Sequence, residues 1–332
     1  MAAVRNDQIA IYKKDMYKAE YEGMKSVPAK YARILKVVPN ATGAGDKKTQ
    51  LIGAGRLERH AVEGQDIKFK SPRQGWETLT KYHTYSTGLS LNKEAVEDNV
   101  KIGNLLNTLA GQWGEYGVIV KEEMAARIFH EGGNLSGDWV FNGSHTGNAD
   151  SSGDLMYDSE PLFNLTGNTR STKGGGTYYN SFASYTMTPA QFEEIYNHHT
   201  TVNNRDEEDE IKVNPADTIL CKPGSDKFLA ERIIDTSKGM PNTDLNDKNP
   251  YYGIISEIID WDYLDPDDDQ NAYFVGKKQH AAIEFHERQS QETDFFRDHT
   301  NKGYKASVDM RCGIWLKDGA WRAWTRGGGT SA

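Results

Sequence analysis

The sequence predicts an α+β protein, and three observations carry that prediction. A polar, alternating stretch of roughly forty residues runs from about Leu51 into one long amphipathic helix that ends near His130. A strand-turn-helix unit follows at Thr218–Ile234. From Tyr251 onward the chain returns to alternating strands. A hairpin with so little apolar surface cannot be stable alone, so the pattern requires that it lie on something else, most simply a second copy of the chain.

With 332 residues, 37% of them hydrophobic, the chain can bury a core without disulfides or metals. Its two cysteines, Cys221 and Cys312, have no His or Cys at ligand spacing, so neither a disulfide framework nor a zinc site is indicated and reduced cytosol is the default compartment. The first thirty residues lack an apolar leader, and apolar stretches such as Gly117 to Val120 fall far below the ~20 residues that span a bilayer. Neither secretion nor membrane insertion is expected. The net charge of −9 argues against a grip on phosphate backbones, but the charge is segregated. Residues 1–50 hold ten Lys/Arg against five Asp/Glu, and residues 201–270 hold seven against eighteen. Two readings follow: a solvated acidic loop with a basic arm, or complementary docking between subunits.

Element by element, Asp7 to Met24 forms a short helix in an N-terminal arm that passes Pro28, Pro39 and Gly43-Ala44-Gly45. Strands at Leu57–Phe69 and Trp76–Leu91 flank a turn at Ser71–Gly75, giving a long hairpin. Arg56, Arg59, Glu63, Lys68, Lys70 and Arg73 put more charge on it than a strand buried in its own domain accepts, and they are the candidate inter-subunit contacts. Asn92 caps the long helix, Glu94 and Glu97 favour its N-terminal dipole, and Gly132-Gly133 stop it. Ile102, Leu106, Leu109, Trp113, Tyr116, Val120 and Met124 make one apolar stripe. Gly111, Gly114 and Gly117 mark a kink, a close backbone contact or a break into two helices.

Residues 131–181, rich in Gly, Ser, Asn and Thr, read as loops contributing little core. Thr188-Pro189 opens a helix to about Asn197 with Phe192, Ile195 and Tyr196 on one face. An acidic loop follows at Asp206–Glu210, then the strand Thr218–Cys221 and the helix Asp226–Ile234 with Phe228, Leu229 and Ile233 apolar. Strands are expected at Gly253–Asp260, Ala272–Gly276, Ala281–Arg288, Ser307–Trp315 and Trp321–Thr325, with Gly327–Ala332 disordered. Trp315, Trp321 and Trp324 suit either a subunit interface or one domain's core.

Catalytic chemistry is thinly represented. A strand over His280–Arg288 would put His280, Glu284 and His286 on one face, types that could bind a divalent metal for a hydrolase, although three polar residues on an outer face need no metal. Asp265–Asp269 starts like a calcium loop but lacks the turn glycine and the closing Glu. Gly43–Thr49 fails the phosphate-loop spacing, and His198-His199 read as a helix C-terminal cap. The sequence therefore predicts no catalytic site, no metal and no cofactor.

The ordered layout of arm, hairpin, long helix, Gly-rich segment, strand-helix unit and antiparallel return resembles the tailed-bacteriophage major capsid proteins of the Hong Kong 97 type, in flavour the major head subunits of Mu-like phages. Tyr85–Asn99 is similar to the family's passage from hairpin to spine helix, and Gly153–Leu162 to the loop after that helix. Asn214–Cys221 with Asp226–Ile234 resembles the core of its axial domain, while Arg311–Trp315 and Trp321–Trp324 resemble terminal strands of its peripheral domain. The resemblance implies an N-arm at 1–50, an extended E-loop at 51–91, a spine helix at 92–131, a peripheral domain at 132–190 with 271–332, and an axial domain at 191–270.

It further implies a structural protein, not an enzyme, that forms hexamers and pentamers of an icosahedral virion shell around double-stranded DNA. The implied partners are neighbouring capsomers, a portal, a scaffold and decoration proteins, without a membrane, with assembly in the host bacterial cytoplasm. Many relatives carry a helical scaffolding segment at the N-terminus; none is visible before Ala10, which implies a separate scaffold or another nucleation route. A bacterial nanocompartment shell, encapsulin-like and on the same fold, is the alternative.

Overall fold

The computed structural model describes residues 2–42, 45–52, 59, 66, 71–92, 102–130, 132, 160–167, 169–183, 185–235, 249–264, 272–298, 303–317 and 319–328. In chain order the elements are α1 (Ala2–Ser26), α2 (Tyr31–Ile34), β1 (Lys36–Pro39), β2 (Gly45–Ile52), β3 (Arg73–Lys81), β4 (His83–Leu91) and α3 (Ile102–His130). They continue with β5 (Arg170–Ser171), β6 (Thr177–Tyr178), β7 (Ser181–Phe182), α4 (Pro189–Thr201), β8 (Thr218–Cys221), α5 (Ser225–Ile234) and β9 (Glu257–Asp260). The chain closes with β10 (Tyr273–Gly276), β11 (Ile283–Arg297), β12 (Tyr304–Leu316), a 3₁₀ turn (Ala320–Arg322) and β13 (Trp324–Gly327). Two compact units result. The first comprises Met1–Gly45, Lys81–Ala125 and Glu284–Trp315, and the second Asp46–Thr80, Ala126–Ile283 and Leu316–Ala332.

In the first unit, a four-stranded sheet runs β1-β11-β12-β4. β1 is parallel to β11, Lys36 opposite Glu284, and β4 is antiparallel to β12 from Tyr304 opposite Leu91 to Cys312 opposite His83. Along β12 every second residue, Tyr304, Ala306, Val308, Met310 and Cys312, is buried, as a half-covered strand requires. Tyr304 and Ala306 of that face pack with Phe295, Met16 of α1, and Leu106 and Ala110 of α3. Burial of the larger of these side chains, Met16, Leu106 and Phe295, stabilises by roughly 1.5–3 kcal/mol each.

The expected short N-terminal helix is longer than Asp7 to Met24: α1 runs from Ala2 to Ser26, because no proline or mid-helix glycine interrupts it before Gly23. The glycines of α3 settle the open reading there. The helix is continuous, and Gly114 and Gly117 are buried on its packed face. A Cβ at Gly114 would overlap the Glu20 carbonyl and stand 2.9 Å from the Met24 nitrogen, and one at Gly23 would overlap the Gly111 carbonyl. These glycines exist for close backbone approach of two helices. The buried stripe of α3 includes Leu106, Ala110 and Met124, whereas Tyr116, expected on it, is 61% exposed.

The second unit holds a five-stranded sheet in the order β7-β13-β10-β8-β9, antiparallel at β13/β10 and β10/β8 and parallel at β8/β9 and β13/β7. β8, β10 and β13 are buried along their whole length, as strands covered on both faces are. Thr188 caps α4, accepting from the Gln191 N–H at 3.4 Å, and Phe192 and Ile195 enter the core with Ile219, Ile233 and Tyr273. Phe129 meets Trp261, Phe274 and Trp324 edge to face, with ring centroids 5.2–5.8 Å apart.

Several expectations are corrected here. β3 pairs with β2, a strand within the expected arm, and Arg73–Gly75 of the expected turn is already strand. The second expected limb divides at Tyr82, and its later part, β4, joins the first unit's sheet. The described end of the Gly-rich segment does contribute core: Leu162 and Phe163 are 1% and 2% exposed. Buried Asn180 ties it down, donating to the Leu162 and Trp321 carbonyls and accepting from the Asn164 N–H. Trp315, Trp321 and Trp324 are each 1% exposed, so they fill interiors instead of waiting for a partner. Gly327, expected to be disordered, pairs with Tyr273 in β13, while 329–332 lie outside the described residues.

Candidate functional site

Of the six expected inter-subunit residues, Arg56, Glu63, Lys68 and Lys70 lie outside the described residues. Arg59 is exposed and Arg73 opens β3. The strands that bracket this charged segment, β2 and β3, form a two-stranded sheet of their own. Two strands without a third or a covering helix are marginal in water.

The metal-ligand trio is not assembled. β11 begins only at Ile283, so His280 belongs to the preceding turn, where Nδ1 accepts the Ala282 N–H at 3.2 Å. Glu284 and His286, expected on an outer face, are 4% and 3% exposed because β11 is buried on both faces at its start. Their polar atoms serve each other: His286 Nε2 meets Glu284 at 3.2 Å, the Tyr82 hydroxyl meets His286 Nδ1 at 3.0 Å, and the Lys36 ammonium meets Glu284 at 2.8 Å. This pattern puts the ring proton on Nε2. Lys36 supplies the opposite charge a buried carboxylate needs, and no local pattern announces it because Lys36 is brought there by β1–β11 pairing. Among the described residues no group of three His, Cys, Asp or Glu side chains could hold a metal ion.

His198 and His199, expected as a helix C-terminal cap, are buried. His198 donates from Nε2 to the Tyr179 carbonyl at 2.8 Å, and His199 Nδ1 meets the Thr325 hydroxyl at 3.0 Å. Burial pushes the His199 imidazole down to about 3, so it stays neutral. The acidic loop is likewise engaged. Asp209 accepts from Thr172 Oγ1 (2.6 Å), Tyr178 OH (2.9 Å) and the Gly176 N–H (2.9 Å), clasping the glycine-rich turn. Burial alone would raise its pKa, but these bonds hold the carboxyl below the usual range. Buried Glu207 lies 3.4 Å from Arg322. Part of the acidic segment is thus bound within its own unit, and Asp265–Asp269 lies outside the described residues.

Large apolar side chains that do face solvent are a better guide to function. In α5, Ala230, Ile233 and Ile234 are buried, while Phe228 is 64% exposed and Leu229 is 36% exposed. Ile211 and Val213, before β8, are 57% and 86% exposed. Phe228 and Leu229 were noted with Ile233 only as the apolar residues of this helix, and the buried face at positions 226, 230, 233 and 234 leaves them on its other side.

No protein-family model matches the chain, and no curated protein matches it in sequence. Solved structures do. The structure described as the capsid of the cyanophage P-SCSP1u is similar over 91% of this chain and 88% of its own, at a TM-score of 0.51 and 12% identity. A virus-like particle from Pyrococcus furiosus is similar over 95% of this chain and 98% of its own, at a TM-score of 0.50 and 10% identity. At such identities the likeness establishes architecture: the chain has the α+β, Hong Kong 97-type fold of tailed-phage capsids.

Proposed function

We propose that this chain is the major capsid protein of a tailed bacteriophage, assembling as hexamers and pentamers into an icosahedral shell around double-stranded DNA. The observation that supports it most is the shared fold with a cyanophage capsid across nine-tenths of the chain. Among the described residues β2 and β3 pair only with each other, which fits this role, since such a hairpin is stabilised when it lies across a neighbouring subunit. Solvent-facing Phe228, Ile211 and Val213 supply apolar surface for further contacts, and many modest interfaces add up in a closed shell.

On this reading residues 1–50 are the N-arm, 51–91 the E-loop, 92–131 the spine helix, 132–190 with 271–332 the peripheral domain and 191–270 the axial domain. Arg56, Arg59, Glu63, Lys68, Lys70 and Arg73 contact neighbouring capsomers. Portal, scaffold and decoration proteins are the further partners, the virion is its location, and assembly takes place in the host bacterial cytoplasm. The role requires neither catalysis nor a cofactor, and the net charge of −9 suits a container that must release its DNA.

The second reading, an encapsulin-like nanocompartment shell around a protein cargo, is favoured by the comparable likeness to the Pyrococcus furiosus particle. Negative-stain electron microscopy of the purified protein, with the absorbance ratio at 260 and 280 nm on the same fraction, tests both. Shells or hexameric rings are expected, and a nucleic-acid-rich ratio separates genome from protein cargo. A monodisperse monomer would overturn the shell reading. Reversing charge at Lys68 and Lys70 together is expected to leave the subunit folded and weaken assembly; unchanged assembly would remove these residues from the interface.

A further inference from the structure

The second unit gathers cationic side chains around the end of its sheet. Asn214 Nδ2 donates to the Arg322 carbonyl, which brings the strand-like segment carrying Lys212 to the 3₁₀ turn. The Lys277 N–H donates to the neighbouring Ala323 carbonyl at 3.0 Å, so the end of β10 arrives at the same place. His280 follows three residues later. Arg322 itself is 8% exposed, with its guanidinium beside the Trp321 ring at 5.3 Å and one nitrogen, Nη2, 3.4 Å from Glu207. Its Nε is buried and has no hydrogen-bond partner among the described residues.

A buried guanidinium N–H without an acceptor costs on the order of 1–3 kcal/mol, so natural structures supply one. We propose that Lys212, Lys277, His280 and Arg322 form a binding site for a phosphate oxyanion. Four donors from three segments suit a group with several oxygens, Arg322 offering directional N–H bonds and the lysines mobile point charges. His280 contributes one N–H from Nε2, because its Nδ1 is occupied by Ala282. Burial first, then the charges of Lys277, Arg322 and Lys212, holds this imidazole down to about 4, so it donates as a neutral ring at pH 7. Lys212 is exposed and His280 half-buried, which leaves a solvent route to the buried guanidinium. The proposal stands apart from the shell reading, since it uses residues of one unit of one chain.

Equilibrium dialysis of the full chain against radiolabelled inorganic phosphate, at fixed ionic strength in chloride, tests it. Saturable binding of one phosphate per chain is expected, weakened about tenfold for each of Lys212→Gln and Lys277→Gln. Arg322→Lys should abolish it; because that residue is buried, the lysine variants, checked by circular dichroism, decide the matter if it fails to fold. Absence of saturable binding, or equal binding by the double lysine variant, would overturn the site. A short DNA duplex added to the same cell identifies the source: lysine-dependent displacement of the label supports a site reached by a phosphodiester, and undiminished labelling supports a site for free phosphate.

Discussion

Where α1 meets α3, backbone lies against backbone at Gly23, Gly111 and Gly114, whereas beside the five-stranded sheet the contacts are ring against ring, Phe129 on Trp261, Phe274 and Trp324. The strands differ in the same sense. β11 and β12 of the first unit run 15 and 13 residues, while β8, β9, β10 and β13 of the second have four each. Short strands offer few ladder bonds and depend on side-chain volume on both faces; long strands and close helices depend on an uninterrupted path for the backbone. The ring-packed second unit should therefore tolerate loss of volume poorly, and the backbone-packed first unit should tolerate gain of volume poorly.

The largest effect is expected from Trp324→Ala, which removes a buried ring packed edge to face on Phe129, the centre of the cluster, at a cost of about 3–5 kcal/mol. A urea titration giving a loss of unfolding free energy less than a third of that would show that the rings are not what holds the second unit together. Gly114→Ala comes next. The added methyl meets the Glu20 carbonyl and Met24 nitrogen, and overpacking of about 1–3 kcal/mol should outweigh the ~1 kcal/mol that Ala gains over Gly in a helix. Gly111→Ala sharpens this. Its Cβ would stand 3.7 Å from the Ala19 carbonyl, an ordinary contact, so propensity should win and stability rise by up to ~1 kcal/mol. Equal signs for the two variants would break the backbone-contact account.

The smallest change is a slope. Glu20, 2% exposed at the same helix contact, has its pKa raised from 4.5, chiefly by burial and against hydrogen bonds to Thr293 and Gln291. A folded state that holds the proton more tightly than the unfolded one loses stability as pH rises past 4.5. Glu20→Gln should therefore stabilise the protein at pH 7 and have no such advantage below pH 4.5, as thermal melts at the two pH values would show. A Glu20→Gln effect independent of pH would assign the contribution to packing alone.

Most helices and late strands were legible because each is specified by its own period. Thr188-Pro189 opened α4, Thr218–Cys221 was strand, and the three glycines of α3 announced a contact even though its partner, α1, was not identified. Legibility failed where a side chain's environment is set by a distant segment. His280 was read as part of β11 because the alternation extends past the strand's true start, and Glu284 was read as exposed because nothing local shows that Lys36 will arrive beside it. Phe228 was noted only as apolar, and nothing local says that it faces solvent, because the buried face of α5 is set by the sheet it packs on.

The sequence by itself determined an α+β chain, its order of elements and the poverty of catalytic groups, since periodicity, caps and composition act over a few residues. Only the tertiary structure decided that β2 takes β3, that β4 leaves them for β12 more than two hundred residues away, and which charges lie inside. Strand pairing is chosen by the global arrangement of buried faces, and a buried charge is tolerated only where the fold delivers its counter-charge, so neither is written in any local window.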